Sequence, residues 1–530
     1  MKNVITIGNN SFSKFKLSGT SSLNIGEIKA SNRLVSKTKR AAFVVNTVFL
    51  MLFCFSLRTI EANAAAFTVN LTTDANDANT GDGICDTNTA VAGQQCTLRA
   101  AIQQANATVG VDDITFSLGG ASTINLTIGE LSIVGSLNIT GPGARLLTVQ
   151  RAAGVANFRI FFVQYANAAT VNISGITVAN GNKTNGSGGG IDNNGATLNL
   201  TGVAVRNNTT SGSGGGIMNA GTLNLIRSTV SNNTALQGGG INNNNAAAVA
   251  NIINSTISDN TADDGGTAAL ALGGGIVNYA TMTVVNSTIS NNTSIEHGGG
   301  IYLTGTHSTS IRNTIIAANT ASYRPDVYGT VNSQGNNLIG ISYPDNGFTN
   351  GVNGDKTGIE AAPLNAQLGA LQDNGGSTDT RALLPVSPAL NSGSSCVADT
   401  PGCLPSSLAT DQRGTPRKAG SFVDIGAYEE QLLPTAASVS IGGRVLQPNG
   451  RGLSKATVVL TNAGGEVFYA VTNVFGHYRF DGVSVGETYL FEVQSKRYVF
   501  PQQALFVTEE RNGFDFVSIA ATSTGEKTAY

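Results

Sequence analysis

The chain runs to 530 residues with 31 Lys+Arg against 33 Asp+Glu, 65 Gly, 12 Pro, 5 Cys and no Trp; 41% of residues are hydrophobic and 12% charged. That charge density is about half the roughly 25% of ordinary soluble domains, but the net charge of −2 is too small for a self-repelling disordered chain and leaves no basic surplus for nucleic acid or an anionic membrane. His297, His307 and His477 stand apart, with no His-x-x-x-His, His-x-x-Glu or Cys-x-x-Cys spacing, which argues against a transition-metal enzyme.

In chain order, residues 41–57 are apolar apart from Asn46 and Ser56, follow the basic Lys37-Thr38-Lys39-Arg40 and precede Ala62-Asn63-Ala64. This predicts a signal peptide with a long basic leader over 1–64, hence a secreted or cell-surface protein. The mature chain then has no membrane span; a retained leader would make that apolar run an anchor. Cleavage removes Cys54 and leaves Cys85, Cys96, Cys396 and Cys403. Of the three possible connectivities, short local loops favour Cys85–Cys96 and Cys396–Cys403, a set suited to an oxidising compartment.

The segment 65–112 reads as an N-terminal cap region. Asp74, Asp77, Asp82 and Asp86 lie close together among Asn and Gly, as calcium ligands often do, although the bidentate Glu of an EF-hand loop is missing. A disulfide-stapled polar turn is the other reading; no further cofactor is implied. Thr97 to Asn106 predicts a short helix, with Thr97 as N-cap and Leu98, Ala101, Ile102 and Ala105 on one face, able to lie across the open end of the repeat region that begins at 113.

From 113 to 430 the sequence repeats. Gly-Gly-Gly-Ile blocks begin at Gly188, Gly214, Gly238, Gly273 and Gly298, at intervals of 26, 24, 35 and 25 residues. The long interval carries an insertion of about ten residues. A second signature, Ser-Thr-(Val/Ile)-Ser-(Asn/Asp)-Asn-Thr, starts at Ser228, Ser255 and Ser287. Each unit holds short stretches of period two, such as Thr222-Leu-Asn-Leu225, between Gly and Asn turns. One unit cannot bury its own apolar face, but coiled units stacked about 4.8 Å apart enclose a continuous interior. The prediction is a parallel β-helix of roughly a dozen coils, with glycine at the corners, Ile pointing inward and Asn side chains in ladders between coils.

Cys96-Thr-Leu-Arg-Ala-Ala-Ile102 with Ala105-Asn106 resembles the Cys-Ser-Leu-Arg-Glu-Ala motif that opens a family of exported bacterial β-helix proteins; Ala100 stands where the family has Glu, so a reciprocal capping box cannot form. The repeats are similar to those of polymorphic outer-membrane proteins and other pectin-lyase-like helices. Ser387-Pro-Ala-Leu-Asn391, Asp411-Gln-Arg-Gly414 and Asp424-Ile-Gly-Ala-Tyr-Glu429 resemble the segment that closes such helices. The resemblance implies a right-handed, pectin-lyase-like coil.

Some pectin-lyase-like helices are lyases or glycoside hydrolases working with carboxylate pairs, a basic residue or calcium on one sheet face. The best constellation is Asp263-Asp264 with Glu296-His297, in the same turn of consecutive coils. Against it, both aspartates open the inserted loop, and a solvated polar turn accounts for them. Asp192 and Asp259 are expected to face solvent, and Arg413 and Asp424 to form an ion pair closing the last coils.

Residues 431–437 read as a linker. Over 438–518 the Gly/Asn repeat gives way to alternating strands rich in Val, Tyr and Phe, which predicts a small antiparallel β-sandwich; 519–530 is a tail. Gly443-x-Val445, Gly450-x-Gly452-Leu453, Gly476-x-Tyr478-x-Phe480 and Gly486 with Tyr489 resemble carboxypeptidase regulatory-like domains of transthyretin-like fold. That resemblance implies a non-catalytic module. Together the fold is expected to be all-β, and the function non-enzymatic adhesion to an extracellular glycan or surface protein. A polysaccharide lyase or hydrolase, and a purely structural envelope component, are the alternatives.

Overall fold

A computed structural model describes residues 64–519, apart from 165–168, 267–269, 306–307, 400–402, 404–406, 421, 432–437 and 463–464. The leader, linker and tail lie, but for their end residues, outside the described residues. Among the described residues no helix is long and apolar enough to cross a membrane.

The repeats form a parallel β-helix. A first sheet has ten strands from Ala66–Val69 to Asn332–Ser333, a second has ten from Ser122–Leu126 to Lys356–Thr357, and a third has eight from Leu131–Ile133 to Val327–Tyr328. A narrow fourth has five two-residue strands, from Asn182–Lys183 to Thr293–Ser294. Each strand pairs with its equivalent one coil away, so Leu198 sits on Leu223 and Leu200 on Leu225, all buried. The inward columns of Ile, Leu and Val merge into one core from Phe67 to Phe348.

The repeat signature has a position-by-position physical meaning. In Gly-Gly-Gly-Ile the first glycine takes φ near +65°, as at Gly238. The second admits no side chain, because a Cβ on Gly215 would stand 2.4 Å from the Gly239 carbonyl oxygen of the next coil. The Ile after the glycines is fully buried at Ile191, Ile217, Ile241 and Ile301. In Ser-Asn-Asn-Thr the first Asn turns the chain with positive φ (Asn232, Asn291, and Asp259 in their place). The second Asn is buried and forms a ladder: each amide donates to the next carbonyl oxygen, from Asn208 through Asn233, Asn260 and Asn292 to Asn319, at 2.9–3.0 Å. Asn319 ends the column on the Asp326 carboxylate at 2.8 Å. A second buried ladder links Asn193, Asn219, Asn243 and Asn278. Ladders meet the donor and acceptor demand of buried corners that backbone pairing leaves open.

At the N-terminal end the helix Leu98–Ala107 closes the coil. Thr97 accepts the Ala100 N–H at 3.1 Å, and Leu98, Ala101, Ile102 and Ala105 join the core. Disulfides Cys85–Cys96 and Cys396–Cys403 form, as suits an oxidising compartment. Coiling begins already at Ala66–Val69, inside the expected cap region.

Coiling ends at Lys356–Thr357, which is why ten coils stand where composition predicts about twelve. Residues beyond it pack as a strap along the outside of the second sheet. Arg381 donates to Ser258 at 2.7 Å, Gln412 accepts from Thr256 at 2.6 Å and donates to Thr229 at 2.9 Å, and the Ala427 N–H donates to Thr288 at 3.1 Å. Arg145, near the other end, pairs with Asp379 at 2.8 Å. Thr229, Thr256 and Thr288 point outward from their strands yet are buried beneath the strap.

Several of the strap's charges are sequestered. Arg417, fully buried, donates to Asn254 at 2.7 Å and to the Gly426 carbonyl at 2.9 Å, and faces Glu429 at 3.5 Å. Arg413 pairs with Asp411 at 2.8 Å rather than with Asp424, because the Asp-Gln-Arg turn folds the guanidinium back on its own segment. Asp424 instead accepts the backbone N–H groups of Asn391 and Glu430, both at 2.6 Å. Burial, reinforced by Asp424, pushes the Glu429 carboxyl up to about 8.

The C-terminal region has its own core, with Ile441, Val445, Val458, Phe491 and Phe516 at its centre. One sheet, of Val467–Val471, Thr457–Thr461, Thr488–Gln494 and Gln503–Phe506, is antiparallel throughout. The facing sheet is mixed, since Ser438–Leu446 pairs antiparallel with His477–Ser484 but parallel with Arg511–Asn512 and Phe516–Val517.

Candidate functional site

The first sheet keeps the middle of its outer face open, the described strap packing only on its Val285 edge through Val397 and Val423. Its outward central column runs Asp113, Asn138, Asn172, Asn199, Asn224, Asn251, Thr283, Ser310. These side chains are half-exposed from Asn172 to Ser310. The amides form a third ladder, donating toward the N-terminal end at 2.6–2.8 Å and stopping on the Asp113 carboxylate at 2.7 Å. Thr170, Thr197, Thr222 and Thr281 flank it on the same face. The result is a polar stripe repeated over the coils from Asn172 to Asn224, interrupted by Val249 beside Asn251 and bordered on its other side by Ile226 and Ile253.

The expected catalytic groups do not share a register. The residue paired beneath His297 is Leu272, and His297 in turn pairs with Tyr323. The insertion opens right after Asp263, whose N–H still bonds the Ala235 carbonyl of the coil before at 2.8 Å, and Asp263 and Asp264 accept the Gly265 and Gly266 N–H groups at 2.9 and 2.8 Å. Asp192 and Asp259, expected in solvent, are partnered: Asp192 binds Arg159, and Asp259 binds the strap residue Arg381 at 2.7 Å. Burial raises the Asp192 carboxyl against the pull of Arg159.

The acidic loop uses its carboxylates on the protein itself. Asp74 pairs with Arg99 at 2.6 Å and accepts the Thr127 and Ile128 N–H groups. Asp77 and Asp82 share the Gln104 amide at 3.0 and 3.1 Å, and Asp86 accepts the Asn88 N–H at 2.9 Å. Among the described residues no three His, Cys, Asp or Glu side chains group as a metal site.

Sequence reasoning missed an aromatic cluster at the corner between the fourth and third sheets. Tyr302 and Tyr328 are register neighbours with rings stacked at 4.8 Å, and His297 stacks on Tyr328 at 5.0 Å. Tyr323, 47% exposed, stands edge-on to His297 at 5.6 Å and to Tyr328 at 6.1 Å. The Arg324 guanidinium lies 5.0–5.8 Å from the rings of Tyr343, Tyr323 and Tyr328, held by two bonds of 2.8 and 2.9 Å to Asp345. The signal was present: His297 to Tyr323 and Tyr302 to Tyr328 are each 26 residues apart, one coil.

Residues 440–516 match the carboxypeptidase regulatory-like domain. No curated protein matches the chain. In this regulatory-like domain the strand Val467–Val471 lies at a sheet edge, with Tyr469 and Val471 exposed.

Proposed function

We propose that the protein is an exported, secreted or cell-surface molecule that binds extracellular glycan or a surface protein without cleaving it, the regulatory-like domain serving as spacer or docking module. The observation that carries this is the open first sheet. A half-exposed amide ladder, flanked by a threonine in each coil from Asn172 to Asn224, repeats one polar arrangement over successive coils, so that weak contacts to a repeating partner add by avidity. The two disulfides fit an extracellular setting. The catalytic alternative draws no support from the register that sets Leu272, rather than an aspartate, under His297.

The test is a polysaccharide panel on the full chain, with and without calcium, scored for retention and for new reducing or unsaturated ends. Retention without product is expected. Product formation abolished by Asp264→Ala or His297→Ala would overturn the reading in favour of a lyase or hydrolase, and absence of both signals would move the search to protein partners.

A further inference from the structure

The aromatic corner has no part in holding the coil closed: the inward residues Ile276, Ile301 and Val327 already fill the interior at this level. Yet five rings and a guanidinium gather here on the outside, in a chain with only 12 Tyr and no Trp. Two columns make the cluster. His297, just before Gly298-Gly-Gly, and Tyr323, its partner in the next coil, form one; residues just after the inward Ile or Val, Tyr302 and Tyr328, form the other. In the first of these coils a side-chain-free glycine corner lets the columns converge, as Gly298 shows by approaching Tyr302 so closely that a Cβ would lie 3.0 Å from its Cα, and in the next Arg324-Pro325-Asp326 takes the place of the glycines.

Four coils earlier the equivalent third-sheet position is Asp192, succeeded by Met218, Asn242 and Val277. The stacked rings are therefore a local elaboration of the repeat.

We infer that this corner is a saccharide-binding platform for an uncharged oligosaccharide chain, a proposal that rests on the binding reading above and gives it a second, more selective site. The ring of Tyr323 is nearly half exposed and rigidly braced by two neighbours, so an apolar sugar face can stack on it at little entropic cost. Around it stand polar groups suited to sugar hydroxyls. Asp345 is 62% exposed while fixed by Arg324, and the Tyr343 hydroxyl reaches Glu360 at 3.4 Å.

Charge selects the class of sugar. Among the described residues of the group Arg324 is the one Lys or Arg, already engaged by Asp345, and Glu360 adds a second carboxylate. An acidic polymer such as a polyuronate meets net repulsion here, whereas a neutral chain loses nothing.

The experiment titrates the full chain with cellohexaose, chitohexaose, mannohexaose and hexagalacturonate, following tyrosine emission, which no tryptophan obscures, and calorimetry in parallel. Tyr323→Ala is compared with Lys418→Ala, at an exposed position outside both proposed sites, with thermal melts confirming that each is folded. The expected result is binding of a neutral hexamer, weakened about tenfold or more by Tyr323→Ala and unchanged by Lys418→Ala. Equal binding by Tyr323→Ala overturns the platform and leaves the general binding reading standing. Preference for hexagalacturonate overturns the charge argument and with it the proposal. Failure of every hexamer overturns the platform, while the binding reading is judged separately by polymer retention.

Discussion

The buried and exposed ladders make the same amide-to-amide bond in different surroundings, and that difference predicts very different energies for one substitution. Asn260 accepts the Asn233 N–H at 3.1 Å and the Asn233 amide at 2.9 Å, and donates to the Val230 carbonyl and the Asn292 carbonyl oxygen, both at 2.9 Å. It is fully buried. Asn260→Ala removes all four bonds and leaves their partners with neither a replacement nor free access to water. At about 1 kcal/mol for each orphaned group, with a further increment for the void, the expected loss is about 4–5 kcal/mol. Asn224, in the exposed ladder, makes its 2.6 Å bond to Asn199 and accepts from Asn251 at 2.8 Å, but water replaces both, so Asn224→Ala is expected to cost under ~1 kcal/mol. Guanidinium unfolding of the full chain, monitored by circular dichroism, reads the two midpoints. Because coils can unfold in part, hydrogen exchange across residues 230–295 checks that the loss is local. Equal destabilisation by the two variants would refute the claim that burial, and not the ladder bond, supplies the stability.

The buried carboxyls and the strap give two further expected outcomes. Burial raises Asp326 to about 7 and, aided by Asp424, Glu429 to about 8. Both protons are held more tightly in the fold than in the unfolded chain, so their contribution is complete below about pH 4 and is lost as pH rises through 7 to 8. The melting temperature should fall across that window, and Asp326→Asn should flatten the slope. Arg417→Ala should strand Asn254 and Glu429 and detach the strap, at a loss on the order of 3–5 kcal/mol. Hydrogen exchange would then show protection vanishing over 376–430 while the first sheet keeps its own; uniform loss over both would contradict a locally attached strap.

The coil itself was legible because its constraints are local and repeated: a positive φ at Gly238, a corner too tight for any side chain at Gly215, and a buried amide at Asn233 each recur in sequence. The helix after Thr97 was equally plain from its cap and apolar face. The strap was not, since Gln412 and Arg417 meet Thr256 and Asn254 across more than 150 residues, and no local pattern encodes that docking. Arg413 found Asp411 instead of Asp424 through the local Asp-Gln-Arg turn. The constellation of Asp263-Asp264 with Glu296-His297 spans an insertion that leaves the coil after Ala262 and returns at Leu272, the residue paired with His297, so counting residues from Asp264 to His297 measures loop rather than sheet. The aromatic corner lay hidden because its members belong to separate coils, and only the offset of one full turn relates them.

The ladders also bear on how such a chain changes length. Every amide in a column hands its hydrogen in one direction, and two of the three columns stop at a carboxylate, Asp326 inside and Asp113 outside. A coil duplicated or deleted as a whole leaves both terminators meeting the partner they met before, whereas a fractional change shifts every rung out of line at once. Length is thereby quantised: the molecule can grow or shrink by gene duplication in complete turns, while spare residues are shunted into side loops such as the one after Ala262.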